Sequence, residues 1–310
     1  MNRWVRALAI ALVIAAAVVF VYRLDPARAA AVLAGASAPW VVLAIALNGV
    51  VRLGTRVLRS RALLVVLPGQ VALYELARVI YGSVALGYLT SPIAGSAARV
   101  IALQRRGVPS ESVVAAQLWE KVLTGCALAG FAAPLLLRDT PAAVHYALLV
   151  AALLGSAGAV AAVLVVAGFR RFERRGGAAP RAGVRRWLFE LGRSLSRLHD
   201  LRVLLRALAW SVISELSDVI MLGLALRALG APIDPAACVL GYIAVNAGSA
   251  VPTTPGQLGV FEAATAWALI ATGVPASTAL AAGLLYHVSH VVPALALGLP
   301  SLSSVRRAPG

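Results

Sequence analysis

Long apolar runs recur along almost the whole of this sequence, and this feature constrains its fold more than any other. A helix needs about 20 mostly apolar residues to cross the roughly 30 Å hydrocarbon core of a bilayer, where backbone polar groups must be satisfied internally. The runs cover residues 7–22, 38–51, 62–89, 112–137, 142–169, 207–226, 236–251, 258–272 and 278–299. The sequence therefore predicts an all-α, polytopic transmembrane helical bundle of about eight spans, forming one integral membrane domain over residues 1–310.

The composition agrees with a membrane protein. Hydrophobic residues make up 61% of the chain and charged residues only 13%, and the mean hydropathy is +0.87, whereas soluble domains carry about 25% charge. A net charge of +16 would suggest nucleic acid in a polar chain. In so apolar a chain it indicates anionic lipid headgroups instead, and we expect no nucleic-acid partner. Cys126 and Cys238 stand inside apolar runs and are predicted to be packed small hydrophobes.

The arginines predict which way the spans run, because cytoplasmic flanks collect positive charge. The chain has 28 basic residues, and 22 arginines can share one side of the membrane. They stand at positions 3, 6, 52, 56, 59, 61, 99, 105, 106, 306 and 307 and, eleven of them, between 170 and 206. Only Arg23, Arg28, Arg138 and Arg227 fall on the other side. The sequence thus predicts a multi-pass protein of the bacterial inner membrane with both termini in the cytoplasm.

The basic stretch at residues 170–206 is predicted to be a cytoplasmic loop that contains an amphipathic helix. Apolar residues recur at helical spacing among its arginines, at Trp187, Leu188, Leu191, Leu195, Leu198 and Leu201. We expect this helix to lie on the inner leaflet. The stretch is equally consistent with a plain determinant of topology, and it is too short for a separate catalytic domain.

Two segments look alike, and each interrupts an apolar region with proline and glycine. The first contains Pro92, Gly95, Arg99 and the turn Gly107-Val108-Pro109. The second contains Pro255-Gly256, Gly259, Glu262 and the turn Gly273-Val274-Pro275. From the arginine distribution, the helix after the first turn runs outward and the helix after the second runs inward. The sequence therefore predicts two broken or re-entrant segments in an inverted repeat.

Inverted repeats with interrupted segments in corresponding places indicate the midplane site of a transporter. The second half of a broken helix exposes free N–H groups at its positive dipole end, which can bind an anion such as phosphate. Proline and glycine are also generally commoner in membrane helices. Their paired occurrence here favours the functional interpretation.

Ionisable residues inside the apolar runs are expensive and mark function by default, at roughly 2.5 to 3.5 kcal/mol each on insertion scales. The candidates for substrate binding are Arg99, Glu120, Lys121, Pro255, Gly256, Gly259 and Glu262. The candidates for a proton or charge network are Glu215, Asp218 and His287. The alternative is mutual neutralisation that only fixes helix packing, which we prefer for Glu75 with Arg78.

Motifs for other chemistries are missing from the sequence. It contains no P-loop, no Gly-x-Ser-x-Gly and no His-Glu-x-x-His, and no cluster completes a metal site around His287, His290 and Glu262. We therefore expect no cofactor, no metal and no ATP-driven pump. A lone carboxylate base would leave no recognisable spacing, so an intramembrane lipid-modifying transferase stays an alternative. A non-catalytic subunit that binds lipid- or glycolipid-biosynthesis enzymes is another.

Three motifs surround the two breaks. They are Pro92-x-x-Gly95-x-x-x-Arg99, Gly107-Val108-Pro109 followed by Glu120, and Pro252-x-x-Pro255-Gly256-x-x-Gly259-Val260-x-Glu262. These residues resemble the lysylphosphatidylglycerol synthase transmembrane-region family of flippase-like integral membrane proteins, over nearly the whole chain. The resemblance implies movement of lipids between leaflets. Some members carry a soluble aminoacyltransferase domain, which this sequence lacks, so the resemblance does not imply synthase activity.

The resemblance also indicates which residues of this chain occupy the motif positions of the family. The family's motif maps onto Arg99, Glu120, Pro255, Gly256, Gly259 and Glu262, with departures at two places. A second glycine is expected where Gln257 stands, and a basic residue where Tyr286-His287 stands. The predicted function is non-enzymatic translocation of an anionic lipid or a polyprenyl-phosphate-linked lipid, with Arg99 and the 255–259 backbone binding phosphate. Glu120 and Glu262 are expected to gate the site or to bind protons.

Overall fold

The computed structural model describes residues 25–137, 142–175, 182–249 and 255–306, and the regular structure in these ranges is helical. The predicted first span at 7–22, the chain termini, Arg138 and Pro252 lie outside the described residues. In chain order the helices are α1 Pro26–Ala34, α2 Ala38–Leu64, α3 Leu73–Leu89, α4 Pro92–Gln104, α5 Ser110–Leu135, α6 Ala142–Arg174, α7 Gly183–Arg197, α8 Leu201–Ala228, α9 Pro235–Ser249, α10 Val260–Ala271, α11 Ala276–Gly298 and α12 Leu302–Arg306. The prediction of an all-α chain is thus confirmed for the described residues.

Four of the described helices, α2, α6, α8 and α11, are long and apolar enough to cross a bilayer. The most apolar window of α11 is 56% buried inside the protein, whereas that of α6 is only 11% buried. Helix α6 therefore presents most of its apolar surface outward, as a helix in contact with lipid does. The figure of about eight spans stays a prediction.

The first predicted break is the tip of a short helical hairpin. Helix α3 ends at Leu89 and α4 begins at Pro92 after two intervening residues, with the Ser91 hydroxyl accepting a hydrogen bond from the amide of Ala94 at 3.2 Å. Proline at the first helical position and serine as the cap explain why a new helix starts here. A Cβ at Gly95 would lie 2.5 Å from the Ser83 carbonyl oxygen, so only glycine lets the two helices pack this closely.

The second break has the same form. Helices α9 and α10 pack side by side next to the break, since a Cβ at Gly248 would lie 3.2 Å from a side-chain carbon of Val260. A single 3-10 turn, Pro255–Gln257, precedes α10. The tips of the two hairpins meet, because a Cβ at Gly256 would lie 3.2 Å from the carbonyl oxygen of Tyr88 at the end of α3. The sequence repeat thus corresponds to two hairpins whose tips touch.

Helix α2 contains one irregular segment. Residues Leu47–Arg52 adopt a π-helix between two α-helical halves. The buried side-chain amide of Asn48 donates to the carbonyl oxygen of Ser289 in α11 at 2.6 Å. A Cβ at Gly49 would lie 3.3 Å from the Pro293 side chain. The π segment therefore lies against α11, and its last residue, Arg52, is the first of a row of arginines.

The basic stretch at 170–206 differs from the predicted loop. It comprises the end of α6, the whole of α7 and the start of α8, with an undescribed segment at 176–181. The predicted amphipathic helix is α7, and part of its apolar face packs on protein, whereas Leu188 is exposed; its position on the inner leaflet stays a prediction. Phe189 packs edge-on against Phe169 with ring centroids 5.3 Å apart, and the indole of Trp187 donates to the Ser110 hydroxyl at 3.1 Å.

Candidate functional site

A cavity of about 250 Å³ lies where the two hairpin tips meet the long helices α2, α5, α8 and α11. It is lined by Arg52, Arg56, Ile80, Ser83, Val84, Gly87, Tyr88, Pro92, Gly95, Ser96, Arg99, Lys121, Asp218, Tyr242, Val245, Asn246, Gly256, Gln257, Phe261, Tyr286 and His290. Both halves of the repeat contribute to its wall. Elements distant in sequence therefore build one polar chamber inside an apolar bundle.

The wall is strongly cationic. Arg52 and Arg56 from α2, Arg99 from α4 and Lys121 from α5 line it, and Asp218 is the one carboxylate among the lining residues. Four positive side chains against one negative side chain leave the chamber with excess positive charge. In a low-dielectric, partly enclosed space such an excess attracts an anion far more strongly than it would in water.

Arg99 and Glu120 form a bidentate ion pair at the edge of the cavity. Nη1 and Nη2 of Arg99 donate to the two carboxylate oxygens of Glu120 at 2.9 and 2.7 Å, and Nη2 also donates to the Ser60 hydroxyl at 2.8 Å. This two-bond geometry is the strongest arrangement of guanidinium and carboxylate. Arg99 is thus largely neutralised by the protein, although its buried Nε has no partner among the described residues.

Asp218 connects two helices through the cavity wall. Nε of Arg52 donates to one oxygen at 2.6 Å, and Nε2 of His290 lies 2.7 Å from the other. Nδ1 of His290 faces the carbonyl oxygen of Tyr286 at 2.8 Å, and a carbonyl can only accept, so Nδ1 bears a proton. One further proton therefore lies between Nε2 and the carboxylate, on one of the two groups.

Glu215 lies one helical turn from Asp218 on α8 but faces away from the cavity. It accepts hydrogen bonds from the Arg59 guanidinium at 3.3 Å, from the Thr124 hydroxyl at 2.9 Å and from the Tyr242 hydroxyl. These bonds link α2, α5 and α9 to α8. Glu215 therefore fixes the helices that surround the chamber, and its charge is matched by Arg59.

Glu262 occupies the positive end of its own helix. One carboxylate oxygen accepts from the amide of Gly259 at 2.8 Å, and the other lies 2.7 Å from Nδ1 of His287. His287 also stacks on the Phe261 ring with centroids 4.4 Å apart, and its buried Nε2 has no partner among the described residues. A phosphate would have to displace the Glu262 carboxylate before it could reach the amide of Gly259.

The backbone before α10 is left-handed at three residues. Gly256 has φ of 65°, Gln257 has φ of 62° and Gly259 has φ of 84°. This region favours glycine. Gln257 stands where the resemblance predicts a second glycine, and the structure supplies the reason for that expectation.

Two of the four cavity cations form no ion pair with a described residue. The Arg56 guanidinium and the Lys121 ammonium group make no hydrogen bond or ion pair with any described residue, whereas the side chains of Arg52 and Arg99 each bind a carboxylate. Lys121 is exposed, so the chamber opens to the surface of the bundle beside α5. These two side chains carry the unneutralised charge of the cavity.

The structure brings together some of the predicted site residues and separates others. Arg99, Lys121, Gly256 and Asp218 line the cavity, and Glu120, Glu215, Glu262 and His287 form a second layer that binds neighbouring side chains or amides. Pro255 begins the 3-10 turn, and Gly259 is the residue before α10. The predicted pair Glu75 and Arg78 is present at 3.4 Å and lies away from the cavity.

Sequence reasoning missed Arg52 and Arg56 and gave His290 no role beyond a rejected metal site. The positive-inside rule assigns Arg52 and Arg56 to a cytoplasmic flank after an apolar run, whereas α2 continues through them to Leu64. A signal was available, because Arg52, Arg56 and Arg59 recur at helical spacing on one face. No proline stands between them to end the helix.

The fold and this cavity define a helical integral membrane protein with a cationic internal chamber. The family model for the lysylphosphatidylglycerol synthase TM region matches residues 6–298, nearly the whole chain. The chain belongs to this family, which confirms the resemblance and agrees with a membrane protein involved in lipid handling. None of the curated proteins matches the chain.

Proposed function

We propose that this protein translocates an anionic lipid, either a phospholipid or a polyprenyl-phosphate-linked lipid, across the bacterial inner membrane. The observation on which this rests is that Arg56 and Lys121 line the chamber without an ion pair to a described residue. Both termini lie in the cytoplasm in this proposal, and the chain makes and breaks no covalent bond. The transported lipid is its partner.

A phosphate group fits the chemistry of the chamber. Hydrogen bonds between charged partners contribute about 1.5–3 kcal/mol each, and an anion between Arg56 and Lys121 would gain several of them. Arg52 and Arg99 already bind Asp218 and Glu120, respectively. In this proposal these two arginines therefore hold the helices of the chamber wall together and add positive electrostatic potential, and they do not supply the main contacts to phosphate. The sequence predicts Arg99 as the principal phosphate contact, whereas in this proposal Arg56 and Lys121 are the principal contacts.

The size of the chamber supports entry of a headgroup alone. Pockets that enclose whole drug-sized ligands measure about 300–1,000 Å³, whereas this one measures about 250 Å³. Acyl or prenyl tails would therefore stay in the bilayer while the headgroup passes through the chamber. The uncharged polar residues Tyr88, Asn246 and Gln257 on the wall could bind glycerol or sugar hydroxyls.

The two touching hairpins supply an element that could alternate between states. Transporters with interrupted helices in both halves of a repeat bind substrate between them and expose it to each side in turn. The Tyr88–Gly256 contact closes one route between the hairpins. In this proposal the incoming phosphate replaces the Glu262 carboxylate at the amide of Gly259. The displaced carboxylate keeps its hydrogen bond with His287.

Reconstitution in liposomes tests the proposal. Fluorescent phosphatidylglycerol, fluorescent phosphatidylcholine and a labelled polyprenyl phosphate would be placed in one leaflet, and their appearance in the other measured over time. We expect transfer of an anionic probe but not of phosphatidylcholine. Because two charged contacts are lost, Arg56→Gln/Lys121→Gln should slow transfer at least tenfold.

A matched variant controls for charge alone. Arg185→Gln/Arg186→Gln removes two positive charges from exposed positions on α7, away from the chamber, and should transfer lipid at the rate of the unmodified protein. Equal rates for both double variants would contradict the chamber assignment. A changed lipid in mass spectra would favour the transferase alternative, and stable co-purification with a biosynthetic enzyme without any transfer would favour the subunit alternative.

A further inference from the structure

A second cleft lies where the carboxyl-terminal part of α6 meets the region between α7 and α8. It measures about 480 Å³. One face of α6 lines it through Val163, Val166, Ala167, Arg170, Arg171 and Arg174. The opposite wall contains His199, and no residue is shared with the central chamber.

The α6 face changes from apolar to cationic along its length. The six positions follow the three- and four-residue spacing of one helix face, and they span twelve residues, a rise of about 16 Å. The apolar part belongs to α6, whose most apolar window is only 11% buried inside the protein. The cleft therefore crosses from a lipid-facing surface to a polar one.

The cationic end combines one fixed and two free guanidinium groups. Arg170 donates to Nε2 of His199 at 3.1 Å and to the carbonyl oxygen of Ser196 at 3.0 Å, which fixes its orientation. The guanidinium groups of Arg171 and Arg174 are exposed and form no hydrogen bond or ion pair with a described residue. The nearby Glu173 is already bonded to Arg193 at 3.3 Å.

We propose that this cleft binds one anionic phospholipid of the surrounding leaflet, independently of the transported lipid. Its phosphate contacts Arg171 and Arg174, and the upper part of one acyl chain lies along Val163 and Ala167, which are exposed. The carboxyl end of α6 carries about half a negative charge from its dipole, which three arginines outweigh. A soluble phosphate would use only the cationic end and leave the apolar half in water, so the full cleft fits a lipid.

Photolabelling tests the proposal in nanodiscs of phosphatidylcholine. A phosphatidylglycerol probe with a diazirine near the carbonyl end of one acyl chain would be irradiated, and the labelled peptides identified by mass spectrometry. We expect the label on the peptide that contains residues 163–174. Arg171→Gln/Arg174→Gln should reduce this label at least fivefold, and Ala167→Phe, which fills the apolar half without changing charge, should reduce it as well.

The control is Arg185→Gln/Arg186→Gln, which removes the same charge from exposed positions that do not line the cleft. It should keep the label within twofold of that on the unmodified protein. Equal labelling by a phosphatidylcholine probe, an equal loss in the control, or full displacement by millimolar inorganic phosphate would each overturn the proposal. Labelling that Ala167→Phe leaves unchanged would also contradict it.

Discussion

A carboxylate oxygen of Asp218 on α8 lies 2.6 Å from Nε of Arg52 on α2, and this ion pair, with Asp218 buried and the Arg52 side chain 17% exposed, is part of the wall of the chamber. The pair joins two of the helices that are long and apolar enough to span a membrane. With His290 on the other carboxylate oxygen, a single side chain links α2, α8 and α11. The chamber is therefore held open by the same charges that make it polar.

Removing the Asp218 charge should be strongly destabilising. In Asp218→Asn the guanidinium of Arg52, which is only 17% exposed, stays without a counter-ion, and breaking one side of a buried pair costs up to about 3–5 kcal/mol. The measurement is the free energy of unfolding in mixed detergent micelles. Asp234→Asn is the matched control, because Asp234 is an exposed residue that accepts a hydrogen bond from the amide of Ala236, and asparagine caps helices about as well. Similar losses for both variants would contradict the assigned role.

Arg99 and Glu120 should behave as one energetic unit. Each of Arg99→Gln and Glu120→Gln leaves a buried charge without its partner, whereas the double variant removes both charges together. We expect the double variant to be less destabilised than the sum of the single variants, with a coupling of about 1–3 kcal/mol. A double-mutant cycle on unfolding free energies measures this. Simple additivity would mean that the pair contributes nothing beyond its separate residues.

The left-handed backbone before α10 predicts different outcomes for substitutions at Gly259 and Gln257. Gly259→Ala should destabilise by about 1–2 kcal/mol through backbone conformation alone, since its Cβ would meet nothing within 4 Å. Gln257→Gly should change stability by less than about 1 kcal/mol, because relief of the left-handed φ offsets the greater freedom of glycine in the unfolded chain. Thermal unfolding in detergent measures both. Gly130→Ala, in open space within α5, is the control and should not destabilise.

The crossing of α5 and α6 depends on a pair of glycines. A Cβ at Gly155 would lie 3.0 Å from the carbonyl carbon of Gly125 and closer still to its oxygen, so Gly155→Ala must push the helices apart. We expect a loss of about 1–3 kcal/mol, as for other overpacked contacts. Gly158→Ala, one turn away in open space, should be neutral or slightly stabilising. Equal stability of the two variants in detergent unfolding would contradict this packing.

Local sequence rules located the parts of the site that are built locally. Pro92 with Ser91 and Pro255 with its glycines mark helix starts by conformational preference alone, so both hairpin tips were predictable. The ion-pair partners of the charged residues could not be predicted in this way. Nothing in the sequence pairs Arg99 with Glu120 rather than with Glu262, because that choice depends on which helices pack together.

The arginines of α2 were assigned to the membrane boundary because a general rule already explained them. Positive charge after an apolar run is usually a cytoplasmic flank. Buried arginines look the same in sequence, and only carboxylates contributed by α8, more than 150 residues later, distinguish the two cases. Their regular spacing was the local sign of a shared helix face.

The π-helical segment Leu47–Arg52 determines where those arginines point. A π turn contains one residue more than an α turn, and each residue rotates a helix by about 100°. Without that extra residue, Arg52, Arg56 and Arg59 would all swing by the same angle, away from Asp218, the chamber and Glu215. The direction in which all three arginines point therefore depends on the residues that precede them. Deletion of a single residue between 47 and 51 would turn all three side chains away from their partners at once.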